Sequence, residues 1–255
     1  MPGDKEEKLL IGDIYPRKKE VDGVNYYVFP CHISAKEMTS PIKARMYYAD
    51  GSVASKEFSF TFRDYAMCLI NQDDYKDLLT DVLNYGAYSQ KYFGFNTDDL
   101  ADSKLENRKD YTDEDVAAAL TELNKAPALI QYNLGTLQDT GVNLVGSSLV
   151  LESDTTLNLY FTGDSLTGAE AVGDSVEAEL SESAGGYKVV VIKGIDWTEL
   201  DTVSDIILTV DGQQKLTSVS PLTYCYLVLS NKDNYSKKLV DLCLSVCDLA
   251  FTGNE

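Results

Sequence analysis

LINQDDYKDLLTDVL at 69–83 and LSNKDNYSKKLVDLC at 229–243 share six of fifteen residues when the chain is slid against itself by 160 positions. The matches are Leu69 with Leu229, Asn71 with Asn231, Asp73 with Asp233, Tyr75 with Tyr235, Leu79 with Leu239 and Asp81 with Asp241. Upstream, an offset of 161 pairs Tyr26 with Tyr187, Val28 with Val189, and the Asp50-Gly51 turn with Asp211-Gly212. Each copy therefore reads strand, Asp-Gly turn, strand, short helix, break, long helix, which is the signature of a duplicated unit. A meander has one apolar face, and the helical pair that follows it provides a lid of matching length. The expected fold class is α+β: two diverged repeats, each an antiparallel, sandwich-like sheet covered by a C-terminal helical hairpin.

Periodicity fills in the units. Residues 24–33 are rich in aromatic and β-branched residues, with Pro30 marking an edge or a bulge. Ile42, Ala44, Met46 and Tyr48 alternate with polar neighbours before Asp50-Gly51, and the alternation resumes over 57–62. The period then changes. Tyr65, Leu69 and Ile70 share one face of a short helix, 71–74 is a break, and 75–93 is a long helix burying Leu78, Leu79, Val82, Leu83 and Tyr85. Residues 94–111, polar and without period, read as a surface connection. Thr112 is placed to cap a helix that buries Val116, Leu120 and Leu123 and ends before Pro127. Strands are expected at 149–151, 157–161, 176–180, 188–192, 206–210 and 215–219, then helices at 221–229 and 235–251. The expected domains are a first repeat at 1–97, a linker and helix at 98–127, and a second repeat at 128–255. The second repeat carries extra strands between 142 and 180. Residues 1–23 are too short to match them, so the first sheet is either smaller or completed by a neighbour.

With 41 Asp and Glu against 22 Lys and Arg, the chain carries a formal charge of −19. Such a field repels phosphate backbones and anionic lipid, which argues against nucleic-acid and membrane-surface partners. No stretch has the length and apolarity of a membrane helix, and MPGDKEEKLL lacks the apolar core of a signal peptide. The five cysteines are too scattered for a disulfide framework and are expected to be buried thiols. Cys243 and Cys247 share a helix face, a zinc arrangement only if two further soft ligands join them.

Chemistry is sparse. A triad would need the sole histidine, His32, and in a strand its neighbour Cys31 would face the opposite side. No phosphate loop, dinucleotide fingerprint, zinc-protease helix or nucleophile elbow occurs, so no catalytic residue is assigned. A hydrolase working through two carboxylates is the remaining enzymatic alternative. No cofactor is expected. Calcium is the metal the composition permits, with Asn96, Asp98, Asp99 and Asp102 as its oxygen ligands. Tyr85, Tyr88 and Tyr92 recur at helical spacing beside Gly86 and Ala87, either as a sugar-stacking stripe or as core rings around a close helix contact. Trp197, the only tryptophan, aligns with Lys36 and is a contact site if exposed and a plug if buried.

AKEM at 35–38, FSFTFRDYAMCLI at 58–70, VLNYGAYSQKYFGFNTDDLA at 82–101, SSLVLESDTTLNLYF at 147–161 and YLVLSNKDNYSKKLVDLC at 226–243 together resemble an uncharacterised tandem module of large secreted or cell-surface proteins of Gram-positive anaerobes. The resemblance spans roughly 35–250. It implies an extracellular location, neighbouring domains in a larger chain, and a role among adhesion, carbohydrate-handling or scaffold modules; it brings no catalytic residues. The expected function is thus a non-catalytic surface module acting in adhesion or as a spacer, on a protein or glycan partner. A carbohydrate-binding module is the alternative.

Overall fold

The computed structural model describes residues 17–21, 23–28, 31–72, 75–152 and 155–252. The chain divides into two compact units, Met1–Ile33 and Ser34–Glu255. In the first, β1 (Arg17–Val21) and β2 (Val24–Val28) form an antiparallel hairpin closed at Gly23, whose φ of 77° a residue with a side chain rarely adopts. Pro30 lies outside the described residues.

The second unit is α+β. Its described residues contain five α-helices and antiparallel sheets. β3 (Ile42–Ala44) pairs with β4 (Phe58–Phe60) in a two-stranded ribbon, extended by an isolated bridge from Tyr47 to Val53. A four-stranded sheet runs in the order β5 (Asn143–Leu151), β6 (Thr155–Thr162), β9 (Lys188–Ile195), β8 (Glu177–Glu182). A three-stranded sheet runs β11 (Gln213–Val219), β10 (Ser204–Val210), β7 (Leu166–Ala171). Alternation decides which faces are inside: Leu157, Leu159 and Phe161 of β6, and Ile206, Leu208 and Val210 of β10, are fully buried at every second position. β10 and β11 are joined by Asp211 and Gly212, both with positive φ, as the twist of a two-residue hairpin requires.

The helices are α1 (Phe62–Leu69), α2 (Lys76–Phe93), α3 (Asp113–Leu123), α4 (Pro221–Ser230) and α5 (Lys237–Thr252). α2 packs along α5, and α4 packs against α5. Residues 82–90 of α2 are buried without interruption, and so are nearly all of 240–250 in α5. A helix buried on every side belongs to the middle of a core. Gly86 marks the closest approach: a Cβ there would stand 2.5 Å from Met38 Sδ, 3.0 Å from the Ala101 Cβ and 3.3 Å from the Ala35 carbonyl.

α2 and α5, one from each expected repeat, share a single core.

Other differences are local. β7 was not expected; LTGAEA has little strand character, and pairing with β10 makes it a strand. The alternation over 42–48 yields a ladder of only three residues before it breaks at Arg45. Residues 31–34 are not strand, and His32 and Cys31 are exposed. Cys68 is exposed too, so two of the five thiols depart from the expected burial. Residues 94–111 are more than a surface connection, because Ala101, Asp102, Leu105 and Tyr111 are buried. They are tied down by polar side chains. Buried Gln90 donates to Thr39 Oγ1 (3.0 Å) and to the Asp99 carbonyl (3.1 Å), and accepts from the Ala101 amide (2.8 Å).

Candidate functional site

Two places in the second unit concentrate unusual chemistry or unusual surface. One is a polar cluster at the junction of α2, α5 and the segment before α3. Asp248 on α5 accepts from Lys109 Nζ (2.7 Å) and from Tyr111 Oη (2.8 Å), while Asp81 on α2 accepts from Thr252 Oγ1 (2.6 Å). Burial, with the Asp248 charge nearby, holds Asp81 above the usual carboxylate range. Burial would pull Lys109 down, but the Asp248 hydrogen bond and the surrounding carboxylates outweigh it and raise the ammonium instead. Tyr111 is pushed far up by burial and by Asp248, so it acts as a hydrogen donor. A raised acid beside a second carboxylate is what the hydrolase alternative requires. Here, however, the groups are directed at one another: Asp248 and Thr252 from α5 clasp Lys109, Tyr111 and Asp81. Such an arrangement locks a helix end against a loop.

The expected tyrosine stripe divides. Tyr85 and Tyr88 are buried, and Tyr88 donates to the Lys109 carbonyl (2.6 Å) while its ring packs 4.8 Å from that of Tyr111. Burial pushes the Tyr88 hydroxyl up to about 12. These two rings are core, as the close contact at Gly86 demands. Tyr92 is 38% exposed and meets Phe93 edge to face at 5.0 Å, with Lys36 Nζ 5.0 Å from the Phe93 ring. Trp197, 43% exposed, opens a short 3-10 turn after β9, so its indole is not a plug.

The four expected calcium ligands do not converge. Asp99 is held by the Arg63 guanidinium in a two-pronged ion pair, a cation already occupying its oxygens. Asn96 Nδ2 donates to Thr39 Oγ1 (2.6 Å), and Asp98 is exposed. Buried Asp102 faces Arg108, with Nε 3.3 Å from Oδ2. Among the described residues, no three His, Cys, Asp or Glu side chains are grouped to hold a metal ion. Cys225 on α4 lies against Cys243 and Cys247; their shared hydrogen bonds and burial push the latter two thiols well above the usual range.

The other place is the β3–β4 hairpin, residues 42–60. Met46, Tyr47, Tyr48, Val53 and Phe58 are all more than half exposed, Phe58 reaching 65% and Tyr48 63%. Phe58 and Phe60 sit on one face with ring centroids 5.5 Å apart. Glu57 pairs with Arg45 (3.1 Å) and reaches Lys43 (3.8 Å). An open, shallow groove lined by Arg45 and residues 53–57 runs along it. Single exposed apolar residues are ordinary, but here five gather on one short ribbon as an exposed apolar patch. The sequence reading used this alternation to find strands and missed its other message. Met46, Tyr47 and Tyr48 are consecutive, so the apolar side chains continue past the face of Phe58 and Phe60, while Lys43, Arg45, Glu57 and Ser59 keep the other face of the paired strands polar.

No family model, curated protein or solved structure matches this chain.

Proposed function

We propose that this chain is a non-catalytic module of a bacterial cell-surface or secreted protein, acting in adhesion or as a spacer, and that it makes contact through the β3–β4 hairpin. One observation carries the reading. Asp81, Lys109 and Tyr111 are turned onto Thr252 and Asp248 in internal bonds, whereas large apolar side chains crowd an exposed two-stranded ribbon. A two-stranded hairpin is marginal by itself in water, so one that displays exposed aromatics is kept for what it touches.

The duplication belongs to the same proposal. β2, the 3-10 turn Ala35–Glu37, β3, β4, α1 and α2 follow the order of β9, the turn Trp197–Glu199, β10, β11, α4 and α5. Both short helices start at a hydroxyl cap, Thr61 and Ser220, each bonded to an amide of its first turn. The comparison supports descent of both halves from one unit.

Replacing residues 43–59 by Asn-Gly, between paired Ile42 and Phe60, tests the reading. Unfolding that stays cooperative, with a midpoint within a few degrees of the parent, is expected of a ribbon outside the core. Collapse of the fold would make the hairpin structural and end the proposal. Carbohydrate binding is a second reading, favoured by exposed Trp197. It requires the fluorescence of this single indole to change on titration with oligosaccharides at millimolar concentration.

A further inference from the structure

We infer that Cys225 is the centre of a disulfide site in the core: given a small-molecule disulfide as oxidant, its sulfur bonds to Cys243 or to Cys247, and the thiol left over exchanges the bond between them. The inference concerns the helical core and stands apart from the hairpin as a contact surface.

Three of the five cysteines are buried, and those three meet. Cys225 lies on α4, completely buried. Cys243 and Cys247 stand one turn apart on α5, 2% and 1% exposed, so both sulfurs leave the same face of that helix. α4 packs against α5, and each of the two α5 thiols is hydrogen-bonded to the Cys225 sulfur. Burial as a small apolar group explains a single core thiol, but it does not require the buried thiols of two helices to converge on one atom. Sulfurs already in contact across a helix pair reach the bonded separation of about 2.05 Å by adjusting side-chain torsions, without a new path for the backbone.

The hydrogen bonds also set the order of events. Cys225 accepts from Cys243 and Cys247, which lowers its thiol, while the same contacts and burial raise the two donors. Cys225 is therefore the nucleophile. Its thiolate attacks one sulfur of the oxidant; the oxidant's S–S bond breaks, a mixed disulfide forms on Cys225, and one reagent thiolate departs. Cys243 or Cys247 then gives up its proton and attacks the Cys225 sulfur, closing the internal bond and releasing the second reagent thiolate. The chain loses two hydrogen atoms, and the reagent is reduced to two thiols. The remaining α5 thiol lies beside the new bond and attacks the Cys225 sulfur in turn, displacing its neighbour, an exchange that consumes no oxidant.

Burial decides when the bond forms. Sulfurs this deep meet a reagent only when α4 lifts from α5, so oxidation belongs to folding or to opening of that contact. The exposed Cys31 and Cys68 meet the same reagent in the folded chain.

The test uses the full chain carrying Cys31→Ser and Cys68→Ser, unfolded in urea and refolded into mixed reduced and oxidised glutathione. Exchange is stopped in acidic urea, the remaining thiols are blocked there with N-ethylmaleimide, and unreduced peptides are mapped by mass spectrometry. One blocked thiol per chain is expected, with Cys225 joined to Cys243 in one fraction and to Cys247 in the other. Cys243→Ala and Cys247→Ala should each keep a bond between Cys225 and the partner left, and Cys225→Ala should keep none. Far-ultraviolet circular dichroism verifies folding; where an alanine variant is unfolded, the pairs mapped in the chain with all three thiols decide. Three blocked thiols after oxidative refolding, a bond to only one of the two α5 cysteines, or a bond that persists in Cys225→Ala overturns the inference.

Discussion

Gly86 shows how much of the molecule is decided by single residues. Its missing side chain lets the turn at 35–37, Met38 and Ala101 close onto α2. The methionine end can shift, but the Ala35 carbonyl cannot, so Gly86→Ala should destabilise by about 1–3 kcal/mol through overpacking. Urea denaturation measures it, and an unchanged midpoint would mean that the contact is loose. Asp81 gives a pH dependence. Its folded value lies above the usual carboxylate range, chiefly through burial. The folded state therefore binds its proton more tightly than the unfolded state does. Stability is favoured while pH is below the ordinary carboxylate range and declines as pH rises through the raised folded value. Asp81→Asn removes that decline and keeps an acceptor for Thr252, so parent and variant should converge in stability on acidification and differ most near neutral pH. A difference independent of pH would contradict this reading. The spacing of Tyr85, Tyr88 and Gly86 disclosed a helix with a tight contact. The roles of Gln90 and Arg63 were hidden, because their partners lie in a loop with no period to read.

At the level of elements, local signals were legible wherever capping or alternation was strong. Thr112 caps α3 as its sequence indicates: Oγ1 accepts from the Asp115 amide (3.4 Å), and Asp115 Oδ2 accepts from the Thr112 amide (2.8 Å). Thr112→Ala should cost about 1 kcal/mol, or about 2–4 °C in midpoint for a unit of this size, read by differential scanning calorimetry. A cost near zero would mean that packing of Val116 and Leu123 alone holds the helix start. β10 and β11 were readable because turn chemistry and alternation agree. β7 was not, since Gly168, Ala169 and Ala171 give it no propensity and its partner β10 is 35 or more residues away. β3 and β4 fell short of their alternation for the reverse reason. Their pattern is that of a paired strand, but no third strand pairs with them in the described chain to extend the ladder.

In the whole molecule, shared burial of α2 and α5 turns two similar stretches into one core. The sequence could reveal the stretches but not their mutual packing, because the residues a helix buries do not by themselves specify its partner, and the burial of Asn84, Ser89 and Gln90 in α2 has no apolar signal to read. The acidic field, readable from composition, governs solubility and tells little about shape. What stands out on the described surface is a ribbon that exposes Met46, Tyr47, Tyr48, Val53 and Phe58. Hydrogen exchange read by mass spectrometry on the parent chain tests the proposed role of this ribbon most directly. Residues 42–60 should exchange rapidly, far ahead of the buried stretches 82–90 and 240–250. Protection of 42–60 equal to that of those two helices would contradict a ribbon held outside the core for contact.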